Sequence, residues 1–490
     1  MTDQQHIHMI GICGTAMASL AGMLKQRGFK VTGSDAAAYP PMSEFLAALG
    51  IPVAQPYSEK NLQPRPDVVV VGNAISRGNA ELEYALDSRI PLQSLPQVLH
   101  DHFLRTRRTI TIAGTHGKTT TTSMLAWILH TAGKSPSFLI GGVAENFGSS
   151  FAVKQGEHFI IEGDEYDTAF FDKGPKFLHY FPESVILTSV EFDHADIYRD
   201  LEAVKTAFRR LVNIVPRRGL IVAYDANGNV SECLAKAFCR VERYGFDAAS
   251  AWRIADLRFE PAVTHWSLLK EGRPWSELEF PLAGEYNVLN ATAAAAMAAN
   301  YGISPETVAE ALKSFRSVKR RLEVRAEIDG ITLIDDFAHH PTAIRETLKA
   351  LRVRYPGRRL WAIFEPRSNT LRRKVFEEQL AESLGLADQV VIAAVFKSEA
   401  IPAAERLEVA SVVGRLNRAG TPARELADAD AIVAGVATEL SSGDVVAILS
   451  NGGFGGIYQK LPERLRELRK PAASESGKQR AASGIEEVTA

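Results

Sequence analysis

The segment Gly114-Thr115-His116-Gly117-Lys118-Thr119-Thr120 constrains the fold more than any other. It follows the apolar, β-branched run Thr109-Ile110-Thr111-Ile112-Ala113 and precedes a helix-forming stretch from about Thr119 to Ala132, stopped by Gly133. Strand, glycine loop and helix in succession open a parallel α/β unit. Gly114 and Gly117 let the backbone curl so that its N–H groups face inward, and the helix N-terminus behind them favours an anion. Lys118 can reach the outer phosphates of a nucleotide, and the Thr119 hydroxyl can ligate Mg²⁺. The spacing G-x-x-G-K-T is two residues shorter than the usual phosphate loop. Its place between strand and helix selects nucleotide binding over a glycine turn beside a solvated lysine.

A chain of 490 residues is too long for one core, so two or three domains are expected. Before the loop, strands at His6 to Ile12, Phe29 to Thr32 and Asp67 to Val71 alternate with helices at Ala16 to Gln26 and near Ser43 to Leu49. That alternation predicts a parallel, doubly wound sheet. After it, strands are expected at Phe159 to Ile161, Val185 to Ser189 and Leu220 to Ala223, with a more β-like stretch after Phe246 and an alanine-rich helix over Asn287 to Asn300. A third series has strands at Ile331 to Ile334, Leu360 to Phe364, Gln389 to Ala393 and Val445 to Leu449. From about Lys470 the tail has little to bury and is expected to be disordered.

A formal charge of −2, with 23% charged residues, gives no reason to expect nucleic acid or a membrane surface as partner. No apolar run is long enough to span a bilayer. Met1 to His8 lacks the basic and apolar regions of a signal peptide, and Cys13, Cys233 and Cys239 are too few for a disulfide framework. Both features fit a reducing cytoplasm.

Polar clusters recur where strands end, which is where open α/β sheets bind ligands. Glu162-Gly163-Asp164-Glu165-Tyr166-Asp167 offers hard oxygen donors suited to Mg²⁺, or else a solvated acidic loop. Glu191-Phe192-Asp193-His194 places a histidine to hold a second metal or touch a phosphate. Asp335-Asp336-Phe337-Ala338-His339-His340-Pro341 is both a dense polar cluster and a helix start, with Asp336 or His340 able to cap. Arg320-Arg321-Leu322-Glu323 could bring a cation to phosphates from another domain, or be a solvated charge run. Gly11-Ile12-Cys13-Gly14 lacks the third glycine of a dinucleotide fingerprint, which disfavours a nicotinamide-dependent dehydrogenase but still serves a diphosphate. Ser450 to Gly456 is a glycine-rich turn after a strand.

Taken in order, the phosphate loop, Asp164-Glu165, Glu191 to His194, Gly284-Glu285-Tyr286-Asn287 with Asn290, Arg321-Leu322-Glu323 and Asp335 to Pro341 resemble the Mur ligases. The resemblance covers nearly the whole chain except the tail. It implies an α/β fold of three domains: a Rossmann-like UDP-sugar domain over 1–106, a P-loop ATPase over 107–316 and a Rossmann-like amine-substrate domain over 317–468, followed by the tail 469–490. It implies ATP and Mg²⁺, with Gly114 to Thr120, Asn287, Asn290, Arg321 and Asp336 at ATP, and Thr119, Glu165 and His194 at metal. Gly11, Gly14, Ser34, Asp35 and Asn73 would frame the UDP part, and Arg367, Ser368 and Asn369 the peptide. Lys118, His194 and His340 would lie at the reacting groups, the two histidines as candidates to deprotonate the amine. Phrases such as Glu365 to Thr370 and Ser450 to Gly456 are most similar to the branch that joins a murein tripeptide to UDP-N-acetylmuramate. The alternative is the branch that adds L-alanine, and in another class stands a regulatory P-loop ATPase. One departure concerns a lysine that many members carbamylate as a metal ligand. Its place falls here at Phe208 or Arg209.

Overall fold

The computed structural model describes residues 4–38 and 42–469. The tail from 470 onward, expected to be disordered, lies outside the described residues.

Three sheets organise the chain. In the first, β1 (His6–Ile10), β2 (Lys30–Ser34), β3 (Val53–Ala54), β4 (Val68–Val71) and β5 (Leu92–Ser94) pair in parallel in the order β3-β2-β1-β4-β5. Every residue of β1 is buried, as a strand covered on both faces must be. Helices α1 (Thr15–Gln26) and α2 (Ala80–Asp87) flank this sheet.

The second sheet has ten strands. Its centre is β6 (Arg108–Ala113), which leads into α3 (Lys118–Thr131). Beyond β6 come β7 (Ser137–Ala144), β8 (Ser149–Ala152), β9 (His158–Gly163), then a separate hairpin of β10 (Asp167–Ala169) and β11 (Asp172–Pro175). β12 (Ser184–Leu187), α4 (Leu201–Ile214), β13 (Leu220–Tyr224) and β14 (Arg240–Gly245) follow. The β-like stretch after Phe246 is the antiparallel trio β15 (Trp252–Phe259), β16 (Thr264–Lys270) and β17 (Arg273–Phe280). The alanine-rich helix α5 (Glu285–Asn300) packs beside α3, and its alanines from Ala291 to Ala298 are fully buried because two helices approach closely there.

The third sheet holds β18 (Glu323–Ile328), β19 (Ile331–Asp336), β20 (Leu360–Phe364), β21 (Gln389–Ala393), β22 (Ala423–Leu426) and β23 (Val445–Leu449) in the order β18-β19-β23-β20-β21-β22, antiparallel only at β18. Helix α6 (Pro341–Arg354) follows β19. Among the described residues no helix is long and apolar enough to cross a membrane, and all three cysteines are free.

These sheets turn the C-terminal ends of β6, β9, β12 and β19 toward one another. A cleft of about 1100 Å³ runs between them, from Thr15, Ala16 and Leu95 of the first sheet's unit to Tyr224, Asn227 and Phe259 at the far end.

Candidate active site

The phosphate loop is built as its glycines require. Gly114 has φ +136° and Gly117 φ +80°, in the region that L side chains rarely adopt. A Cβ on Gly114 would overlap Thr188 Oγ1, and one on Gly117 would overlap Asn290 Oδ1. Lys118 opens α3 and folds back so that its Nζ donates to Gly114 O at 2.6 Å and Glu165 Oε2 at 2.9 Å. Burial alone would depress the Lys118 pKa, but the facing Glu165 and Asp164 carboxylates raise it. The ammonium therefore stays charged where phosphates are expected.

Glu165 is itself 2% exposed, and His194 Nε2 stands 3.5 Å from its Oε1. Burial opposes charge on Glu165, yet Lys118 and His194 together hold its pKa below the ordinary carboxylate value. Burial also pulls the His194 pKa down, and the Glu165 contact with the Asp193 charge reverses this, leaving it raised. His194 sits at φ +55°, a strained backbone position at the end of the β12 loop. The Thr119 hydroxyl donates to Glu162 Oε2 at 3.2 Å and accepts from Arg321 Nη2 at 3.3 Å. Thr119, Glu165 and His194 thus gather around Lys118, with Glu162 as a fourth donor that sequence reasoning left within an undivided acidic run. Two carboxylates, a hydroxyl and an imidazole beside a phosphate loop are a donor set that suits Mg²⁺ shared with phosphate oxygens.

The position at which the resemblance led us to look for a carbamylated lysine is filled otherwise. Phe208 is fully buried, its ring 5.5 Å from Phe177, and Arg209 pairs with Glu202. Neither side chain can supply a carbamate ligand.

Glu191 ties the loop to the third sheet. Its backbone N–H reaches Thr115 Oγ1 at 2.8 Å, and its Oε2 receives His116 Nε2 at 3.2 Å and Thr342 Oγ1 at 2.7 Å. These contacts offset the cost of burial and hold the Glu191 pKa at about 2. His116, Glu191 and His340 lie within metal-ligand reach of one another. His340 has no lone pair to spare, however. Its Nδ1 accepts from Thr342 N at 3.2 Å as the N-cap of α6, so its Nε2 must carry the proton that faces Phe192 O at 3.2 Å.

Asp336 is buried and accepts from Leu322 N at 2.8 Å, Ala338 N at 2.9 Å and Thr347 Oγ1 at 3.1 Å. It shapes the turn that presents Arg321 and the paired histidines, and it lines the cleft. Asn287 gives its amide to Ala283 O at 2.8 Å, while Asn290 Nδ2 is buried with no partner among the described residues. In the first sheet's unit, Gly11 N donates to Ser34 O and Cys13 N to Asp35 Oδ2, both at 2.9 Å, which folds the glycine turn before α1 around Asp35. The Ser34 hydroxyl is fully buried on Glu81, so it supports this turn from beneath. Asn73 is half-buried just beyond β4.

A second cavity of about 410 Å³ opens beside the cleft. Arg367, Ser368 and Asn369 line it together with Asn451 of the glycine-rich turn, and so do Arg372, Phe396 and Lys397, which no sequence pattern marked. The Arg367 guanidinium lies 3.8 Å from the Phe396 ring centroid. Asn369 Nδ2 reaches across to Asp196 Oδ2 at 2.7 Å, linking the cavity to the β12 loop.

Titration of His340 should be visible in stability. Burial, then the neighbouring His116, lower its pKa to about 4 from 6.5. Between those values the unfolded chain binds a proton that the folded chain refuses, so stability falls as pH drops from 6.5 to 4. The full shift is worth about 3 kcal/mol. His340→Gln should flatten that part of a plot of thermal midpoint against pH. Parallel curves for variant and parent would contradict this assignment.

Comparison with known proteins agrees with the geometry. Three family descriptions match in order: Mur ligase family, catalytic domain, over residues 6–107; Mur ligase middle domain over 112–298; and Mur ligase, glutamate ligase domain, over 320–452. The chain is 43% identical over 467 residues to the UDP-N-acetylmuramate–L-alanyl-γ-D-glutamyl-meso-2,6-diaminoheptandioate ligase of Escherichia coli K12, covering 95% of this chain and 99% of that one. It is 33% identical to the UDP-N-acetylmuramate–L-alanine ligase of Geotalea daltonii, covering 94% and 98%. The crystal structure of a murein peptide ligase from Psychrobacter arcticus 273-4 superposes with a TM-score of 0.72 at 38% identity, covering 94% and 98%.

Proposed function

The chain belongs to the Mur ligase family, and we propose that it is an ATP-dependent ligase joining L-alanyl-γ-D-glutamyl-meso-diaminopimelate to the lactyl carboxylate of UDP-N-acetylmuramate. One observation carries the choice of amine. The cavity beside the cleft has about 410 Å³ and three cations, Arg367, Arg372 and Lys397. A single alanine would leave most of that space empty, whereas a peptide bearing several carboxylates fills it and meets its charge. The greater identity to the tripeptide ligase than to the alanine ligase points the same way.

A carboxylate is a poor acyl donor at neutral pH, so phosphorylation comes first. A lactyl oxygen attacks the γ-phosphorus of ATP, the new O–P bond forms as the bond to the β-phosphate oxygen breaks, and ADP leaves with the electron pair. The peptide amine then attacks the acyl carbon, and phosphate departs. Lys118 and Arg321 hold the phosphates in line and carry developing charge, which is a positioning and electrostatic role. Mg²⁺ held by Thr119, Glu165 and His194 would supply further neutralisation of the triphosphate. Asn290 offers its free amide to the nucleotide. Gly11, Gly14, Asp35 and Asn73 would receive the UDP end, and the reaction belongs in the cytoplasm, where these nucleotides are.

The test offers purified protein ATP, Mg²⁺ and UDP-N-acetylmuramate with either tripeptide or L-alanine, and follows phosphate. Release that depends on tripeptide is expected. Release with alanine alone moves the assignment to the alanine-adding branch. Nucleotide hydrolysis indifferent to both amines returns it to a regulatory ATPase.

A further inference from the structure

Among the described residues, the cleft and the second cavity share three lining residues: Asp193, His194 and His339. If the acyl phosphate forms in the cleft and the peptide sits in the cavity, as the ligase reading above holds, the amide bond forms at this seam. The attacking nitrogen must lose a proton there, so the question is which of the three can take it.

Asp193 is committed. Its Oδ1 accepts from Thr370 Oγ1 and from His194 N, each at 2.7 Å, and the surrounding histidines hold its pKa low despite burial. His194 turns its Nε2 to Glu165, a contact that favours the protonated ring. His340, one residue beyond the seam, has both nitrogens engaged as described.

His339 differs from all of these. Its Nδ1 stands 2.9 Å from Phe337 O. A carbonyl oxygen only accepts, so Nδ1 carries the proton and Nε2 carries the lone pair. Among the described residues no hydrogen-bond partner meets that Nε2. The ring is braced edge-on against Phe337, with centroids 5.3 Å apart, and the His339 carbonyl accepts from Ser368 Oγ at 3.4 Å on the peptide side. The side chain is half-buried, so a ligand can reach it. The charged groups facing it are Asp193, Arg321 and His194, and burial outweighs the Asp193 charge to keep the ring neutral.

We propose that His339 Nε2 is the proton acceptor for the peptide amine as it attacks the acyl phosphate. The nitrogen–carbon bond forms, the carbon–oxygen bond to phosphate breaks with its electron pair leaving on phosphate, and the amine proton passes to Nε2. A ring of low basicity suffices because the attacking nitrogen becomes strongly acidic once it bonds to carbon.

The test separates the two half-reactions in His339→Gln and His339→Asn. Acyl-phosphate formation is read as ATP- and UDP-N-acetylmuramate-dependent hydroxamate when hydroxylamine replaces the peptide. Hydroxylamine is a weakly basic nucleophile that needs no proton acceptor of this kind. Both variants should make hydroxamate within threefold of the parent, with unchanged thermal midpoint, and join tripeptide at least a hundredfold more slowly. The acid limb of the parent's pH profile for peptide joining should vanish in them. Peptide joining within threefold of the parent would overturn the proposal. An equal loss of hydroxamate would overturn it too, since His339 would then serve the phosphate step or the fold. Parent protein that joins no tripeptide would instead fail the ligase reading, and this inference with it.

Discussion

Lys118→Met is expected to abolish amine-dependent phosphate release, a fall on the order of 10²–10³-fold or more. Lys118 Nζ lies within hydrogen-bond reach of Gly114 O and both Glu165 oxygens. It therefore already occupies the point where loop, helix and acidic cluster meet, and bound phosphates would exchange with Glu165 for its protons. Methionine keeps the stem and removes the charge. The loss falls on the transition state, where negative charge spreads over the transferring group. Lys118→Arg should not restore turnover, because a planar fork cannot enter a loop closed around a single ammonium. The same change has a second sign to check. Without Lys118 the buried Glu165 loses its chief counter-charge, so its pKa rises and Mg²⁺ affinity weakens as pH falls. Steady-state rates, with circular dichroism to confirm the fold, decide this. Near-normal turnover would remove Lys118 from the phosphate site.

How much of this was legible in the chain depends on how far apart the cooperating residues lie. Strands buried on both faces, such as β1, β6, β12 and β23, write themselves as apolar runs, and the phosphate loop carries its own glycines and lysine within seven residues. The Asp335 to Pro341 cluster was readable as a helix start, and His340 does cap α6. Other features were hidden by tertiary context. β9 continues through the charged Glu162, which periodicity reads as a strand end, because the carboxylate is met by Gly141 N and Thr119 Oγ1. The hairpin β10–β11 is too short and polar to signal itself. The seam joins Asp193 and His194 to His339 from different sheets, and only the fold brings them together. Likewise Arg372, Phe396 and Lys397 look like ordinary surface residues until they surround one cavity.

The turn Ser450 to Gly456 shows what such hidden context does, and it sets the second large effect. Gly452 lies directly against Arg367, and a Cβ there would collide with Arg367 Nε, Cδ and Cζ. Three contacts seat that guanidinium: the Phe396 face at 3.8 Å, Glu365 Oε1 at 3.5 Å, and the bare Cα of Gly452. Glu365 is in turn fixed by Ser450 Oγ at 2.5 Å, whose oxygen also accepts from Gly452 N at 2.9 Å. Gly452→Ala leaves the backbone conformation open to it, since this glycine is not in the left-handed region. What it cannot keep is Arg367 on Phe396. The guanidinium sits at the end of a flexible chain and will move out at an overpacking cost of about 1–3 kcal/mol. That cost falls on the peptide site and not on the fold. The KM for tripeptide should rise about 10- to 100-fold while the KM values for ATP and UDP-N-acetylmuramate stay within twofold. Arg367→Ala should raise the peptide KM similarly, and the double variant should add little, because both changes remove the same stacked cation. Additive losses would mean that Gly452 acts on the peptide by another route, and an unchanged peptide KM would detach this cavity from the amine substrate.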